Sequence, residues 1–90
     1  MQIPVASQIK YIIRRHEELD MARAALTKGD LSPIQNMGHK LKGNGATFGF
    51  PELGELGAEL EVAAAENRVD RISTLMQKFE QWLSFHPVPN

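Results

Sequence analysis

His39-Lys40-Leu41-Lys42-Gly43-Asn44-Gly45-Ala46-Thr47-Phe48-Gly49 puts an imidazole, an ammonium group and a missing side chain on one face of a helix. At about 100° per residue, Lys42 stands roughly 60° from His39, Gly43 about 40° to the other side, and Ala46 roughly 20° away. These four share one stripe. Ile34, Met37, Leu41 and Phe48 recur at helical spacing on a different stripe, the pattern of a helix face that enters a core. Ile34 lies about 140° around from His39, so burying the apolar stripe turns the imidazole to solvent.

Working outward, Ser32-Pro33 reads as an N-cap followed by proline at the first helical position, which starts a helix running to about Phe48. Gly38, Gly43 and Gly45 lie inside it, each costing roughly 1 kcal/mol relative to alanine. Gly43, on the His39 stripe, leaves room for a visitor. Gly38 and Gly45 lie nearer the core stripe, where a missing Cβ lets two helices approach closely. Gly49-Phe50-Pro51 ends this helix and opens the next, whose inner face is Leu53, Leu56, Leu60 and Ala63-Ala64, with Gly54 and Gly57 again permitting close contact. Glu52, Glu55, Glu59 and Glu66 read as a solvated face rather than as paired catalytic carboxylates. Asn67 either caps this helix or begins the following one, with Asp70 in its opening turn. Ile72, Leu75, Met76, Phe79, Trp82 and Leu83 point inward from the last helix, and His86 before Pro87 marks its end.

Upstream, Val5, Ile9, Ile12, Ile13, Leu19, Ala22 and Leu26 trace the inner face of a long first helix, with Lys10, Arg14, Arg15, Glu17 and Glu18 on the rest. Pro4 suits its first turn and Gly29 its stop. Periodicity alone does not divide Ile12, Ile13 and Leu19 between core and an exposed docking patch. Helices are expected over approximately 5–28, 33–48, 51–66 and 68–85, within a single domain spanning residues 1–90. Short links and the absence of a strand pattern predict an all-α, antiparallel up-down four-helix bundle.

Composition narrows the function. There is no cysteine, which excludes disulfides and cysteine metal sites and makes the cytoplasm the expected compartment. The apolar fraction of 42% and charged fraction of 23% are ordinary for a globular protein, and a formal charge of −1 argues against a general nucleic-acid binder. No apolar run approaches the ~20 residues needed to span a bilayer, and no basic region followed by an apolar stretch opens the chain. No membrane role is expected. Met1 favours a free protein over an excised domain. There is no Gly-rich loop with Lys-Ser/Thr for ATP phosphates and no serine or cysteine nucleophile in a recognisable motif. The chain is therefore not expected to phosphorylate itself, and enzymatic activity in its own right is not expected.

A solvated histidine beside a lysine and a glycine suggests a nucleophile approached by a large partner. Neutral imidazole attacks phosphorus covalently, and a nearby ammonium holds the phosphoryl group as a point charge. The order His39, Lys42, Gly43 and Gly49, followed by a leucine-rich helix carrying Leu60-Glu61, resembles the histidine-containing phosphotransfer (HPt) domain, most strongly from about Leu31 to Glu61. The resemblance implies a phosphoryl carrier: His39 takes the group on Nε2, Lys42 steadies it, and Gly43 and Ala46 leave the partner access. It implies as partners a response-regulator receiver domain, a sensor histidine kinase, or both. The receiver would bring the carboxylate pocket and Mg²⁺, so no cofactor and no metal site are expected on this chain. In similar domains a polar residue on the following helix holds Nδ1–H, and Glu61 stands there, where many relatives carry glutamine. Gln35, one turn before His39, and Lys40 are candidates for the rim of the docking face.

His16 and His86 do not pair with His39 at metal-ligand spacing and read as structural or surface residues. Two other readings stay open: a bundle that docks a receiver or kinase without taking phosphate, and a kinase dimerisation bundle detached from its ATP domain. The carrier is expected to be a monomer.

Overall fold

The computed structural model describes residues 3–88, and among them there are four helices and no strand. α1 spans Val5–Thr27, α2 Ser32–Asn44, α3 Pro51–Ala65 and α4 Val69–Ser84. Each helix packs closely on two neighbours, α1 on α2 and α4, α3 on α2 and α4, and the backbones of the diagonal pairs stay apart. Partners along each seam run in opposite directions: Gln8 meets Phe48 and Tyr11 meets Asn44, while His16 meets His86 and Arg23 meets Glu80. The all-α, antiparallel up-down bundle expected from the helical periodicity is the fold.

Helix ends follow local chemistry. Past α1, Gly29 takes φ +76° and the Asp30 N–H donates to the Ala25 carbonyl at 2.9 Å, closing the last turn in the left-handed manner glycine permits. Asn67 does the same past α3 at φ +56°, with the Arg68 N–H donating to the Ala63 carbonyl at 2.9 Å. It therefore ends α3 rather than opening α4. Two expected boundaries are corrected. Ser32 is inside α2 rather than its cap, and it is Asp30 Oδ1 that accepts the Ser32 N–H at 3.2 Å. α2 also stops at Asn44, not Phe48, and the chain continues in turns to Gly49. Side chains of α1 stabilise that departure: Tyr11 donates to Asn44 Oδ1 at 2.6 Å, Gln8 donates to the Phe48 carbonyl at 3.1 Å, and the Tyr11 and Phe48 rings stack at 4.5 Å.

The core centres on Ile34, Leu41, Leu53, Leu60, Ile72, Leu75, Phe79 and Leu83, with Leu19 joining them from α1. Ile12 and Ile13 are half-buried, so neither forms a bare docking patch. Two residues exchange their expected places. Val5 is exposed at the start of α1, beyond the end of the bundle's core. Arg15, expected outside, is buried, its guanidinium 4.2 Å from the Tyr11 ring centroid and its Nε 2.5 Å from Glu18 Oε1. The apolar stem and the flat, weakly hydrated cation of arginine suit it to lie buried against an aromatic face. Burial pushes the Glu18 carboxyl above its ordinary range, with Arg15 opposing that rise.

The α2–α3 seam is the tightest in the molecule. A Cβ at Gly38 would stand 2.7 Å from both the Glu61 nitrogen and the Gly57 oxygen, and one at Gly45 would meet the Gly54 backbone nitrogen. Glycines on both helices thus let backbone lie on backbone. Gly38 immediately precedes His39, and the α3 backbone it admits is that of Glu61. Close packing of these two helices is what brings the next side chains within reach of one another.

Candidate functional site

His39 stands on α2 with its side chain 73% exposed. Its Nδ1 is 2.6 Å from Glu61 Oε2 on α3, and Lys42 Nζ is 3.3 Å from Glu61 Oε1. One carboxylate therefore joins both residues, an oxygen to each. The Glu61 carboxyl is held below its ordinary range, first by the hydrogen bond from His39 and then by that from Lys42. An ionised carboxylate only accepts, so the ring hydrogen belongs on Nδ1, which donates to Glu61. In the neutral ring, Nε2 is then left with its lone pair. It makes no hydrogen bond among the described residues.

The remaining candidates surround this centre in different ways. Gly43 is exposed, and a Cβ built there meets nothing within 4 Å, so the surface beside the imidazole is open. Ala46 is exposed just past the end of α2. Gln35 is exposed one turn before His39. Lys40 faces the other seam: its charge acts on Glu18 of α1, and it edges a groove with Met21, Pro33, Asn36 and Met37. His39, Lys42 and Glu61 are thus together, while Lys40 stands on the opposite flank.

Sequence reasoning missed Met21, 67% exposed on the wall of that groove. Its only signal was a large apolar residue off the core stripe of α1. His16 and His86 lie elsewhere and meet each other. His16 Nε2 donates to the His86 carbonyl at 2.8 Å, and the His86 ring stacks on Trp82 at 3.8 Å while its Nδ1 donates to the Trp82 carbonyl. The His16 contact fastens the end of α4 to α1, and the His86 contact closes the last turn of α4. Among the described residues, no group of three or more His, Asp or Glu side chains is arranged to hold a metal ion, and no helix is long and apolar enough to cross a membrane.

The electrostatics of the trio make a first prediction. Because its partners depress the Glu61 carboxyl, the contact is fully formed above the ordinary glutamate range near ~4.3 and is lost only as the pH falls through the lower folded value. Carboxyl-carbon NMR should give Glu61 a midpoint below that of an unfolded-chain glutamate. His39→Ala should raise it more than Lys42→Ala. A midpoint at or above the ordinary value would mean that the bridge does not persist in solution.

The arrangement has the parts of a phosphoryl acceptor: a nucleophilic nitrogen in water, a second nitrogen fixed by a carboxylate, a cation beside them and open surface around them. Comparison with protein families points the same way, since the family model described as "Hpt domain" matches residues 11–84. Comparison with curated proteins and with solved structures returns no match. The match runs from Tyr11, inside α1, to the last residue of α4, so it takes in most of α1, all of the other three helices and the exposed histidine. The chain belongs to the Hpt domain family, whose members carry out phosphotransfer in phosphorelay signalling.

Proposed function

We propose that this protein is a phosphorelay intermediate that accepts a phosphoryl group on Nε2 of His39 and passes it to or from the aspartate of a receiver domain. The observation that carries this reading is the pairing of exposure with orientation: a ring 73% open to water whose Nδ1 is already committed to Glu61 at 2.6 Å. A receiver approaching over Gly43 and Ala46 brings its aspartyl phosphate in line with Nε2. Its own carboxylates and Mg²⁺ hold the phosphoryl oxygens from the far side. Lys42, 56% exposed and 3.3 Å from Glu61, reaches those oxygens by a change of side-chain rotamer. Gln35 and the Lys40–Met21 groove on the α1 flank extend the docking face around the histidine.

Incubation with a receiver phosphorylated on its aspartate tests the proposal. Acid-labile label should move to the wild-type protein in a time-dependent way; a bundle that binds the receiver yet takes no label would be an adaptor instead. Two variants report on individual parts. Lys42→Ala should slow transfer about tenfold, the scale of one charge-assisted contact to a phosphoryl group, with helix content unchanged. Unaltered rates would remove Lys42 from the mechanism. Gly43→Gln should fold normally, because a side chain there meets open space, and should still impair transfer by standing in the receiver's path. Normal transfer by this variant would show that the glycine is not needed for access.

A further inference from the structure

Glu61 is a carboxylate where an amide could make the same hydrogen bond, and the difference bears on how the phosphoryl group leaves. When Nε2 attacks, the Nε2–P bond forms and the P–O bond to the receiver's aspartate breaks, its electron pair going to the aspartate carboxylate. The ring then bears phosphorus on Nε2 and a hydrogen on Nδ1, and it is cationic. In onward transfer a carboxylate oxygen attacks phosphorus, and the Nε2–P pair returns to Nε2. If Nδ1 still holds its hydrogen, the departing group is neutral imidazole. If that hydrogen has been lost, the departing group is imidazolate, a far poorer one.

The side chain that touches Nδ1 therefore decides over what pH range the phosphorylated ring can discharge. An ionised carboxylate accepts only and supports only the protonated ring. A glutamine turns its carbonyl to the protonated ring or its NH₂ to the deprotonated one, and supports both. We infer that Glu61 is a positioning residue that keeps the hydrogen on Nδ1 of phosphorylated His39, so that the phosphoryl group leaves from neutral imidazole into the mildly alkaline range. This rests on His39 being the acceptor.

The surroundings leave Glu61 in charge of that proton. On α2 the charged neighbours are Lys42, which shares the same carboxylate, and Lys40, whose charge is directed to Glu18. On α3 the side chain hydrogen-bonded to the ring is Glu61. From α1 the carboxylate beside Lys40 is Glu18, paired with Arg15, and the α4 backbone does not approach α2 closely. Glu61 itself has a side chain only 22% exposed, less open to screening than either partner. Once phosphate is present, Lys42 is drawn toward it, and the carboxylate is left to His39.

The test compares the wild type with Glu61→Gln. Each is phosphorylated with the same phosphorylated receiver, isolated, and discharged onto fresh receiver across pH 5.5 to about 9. Toward the acid end of this range the two discharge profiles should converge. Toward the alkaline end, discharge from Glu61→Gln should fall away earlier, leaving it about three- to tenfold slower than wild type near pH 8. Nitrogen-15 spectra of the phosphorylated ring should show the same displacement. Equal slowing at every pH would reduce Glu61 to an orienting group and overturn the inference, as would coincident profiles. In both cases His39 remains the acceptor. Failure of the wild type to take any label would instead overturn the acceptor reading itself.

Discussion

His39→Gln should take up no measurable label from a phosphorylated receiver, while its melting temperature moves by no more than about 4 °C, as expected for an exposed position. The loss should be complete because the chemistry is covalent: without the lone pair on Nε2 no other group completes the bond to phosphorus. Neither remaining histidine substitutes. His16 and His86 are half-buried where His39 is 73% exposed, and the His86 ring is covered on one face by Trp82. His16→Gln and His86→Gln should therefore retain label, though either could loosen the end of α4. Residual label on His39→Gln would show that a second acceptor exists.

The second large effect concerns a residue that never meets the partner. Gly38→Ala should destabilise the bundle by about 2 kcal/mol, net of the better helix propensity of alanine, and lower the melting temperature by roughly 8–16 °C. The added Cβ would stand 2.7 Å from two α3 backbone atoms, the Glu61 nitrogen and the Gly57 oxygen. Backbone cannot rotate aside as a side chain can, so the helices must part. Parting them draws Glu61 away from His39, and transfer should slow in whatever fraction remains folded. Gly43→Ala is the contrasting control. With nothing within 4 Å, it should gain up to about 1 kcal/mol from helix propensity alone. Equal melting temperatures for the two variants would show that the α2–α3 seam is looser than its geometry indicates.

These two glycines illustrate what could be read before the fold was seen. Helical periodicity placed Gly38 and Gly45 near the core stripe of α2 and Gly43 off it, and the structure has the first two against α3 backbone and the third in open space. The same angular argument turned His39 outward and put Lys42 beside it. Glu61 was reachable only by resemblance, since no periodicity within one helix says which residue of the next lies opposite. That depends on the α2–α3 register, which the glycines set.

The failures have a common cause. Arg15 falls on the same helical stripe as Tyr11 and Leu19, but a charged residue reads as solvated unless the aromatic ring and Glu18 that receive it are known. Val5 reads as core because periodicity does not reveal where a neighbouring helix ends. The early end of α2 arises from hydrogen bonds made by Gln8 and Tyr11, more than thirty residues away in the chain. Each miss turns on a tertiary contact, made by Arg15, Gln8 and Tyr11 and lacking at Val5, that local preference does not encode.

In the proposed relay step one imidazole of three receives the phosphoryl group, on the nitrogen that Glu61 leaves free. Long-range proton–nitrogen correlation spectra of the protein labelled with nitrogen-15 in its histidines, recorded before and after exposure to a phosphorylated receiver, test this most directly. A phosphorus-coupled signal should appear at Nε2 of His39, with Nδ1 still protonated and the rings of His16 and His86 unchanged. Phosphorus coupling at Nδ1, at another histidine, or at none of the three would contradict it.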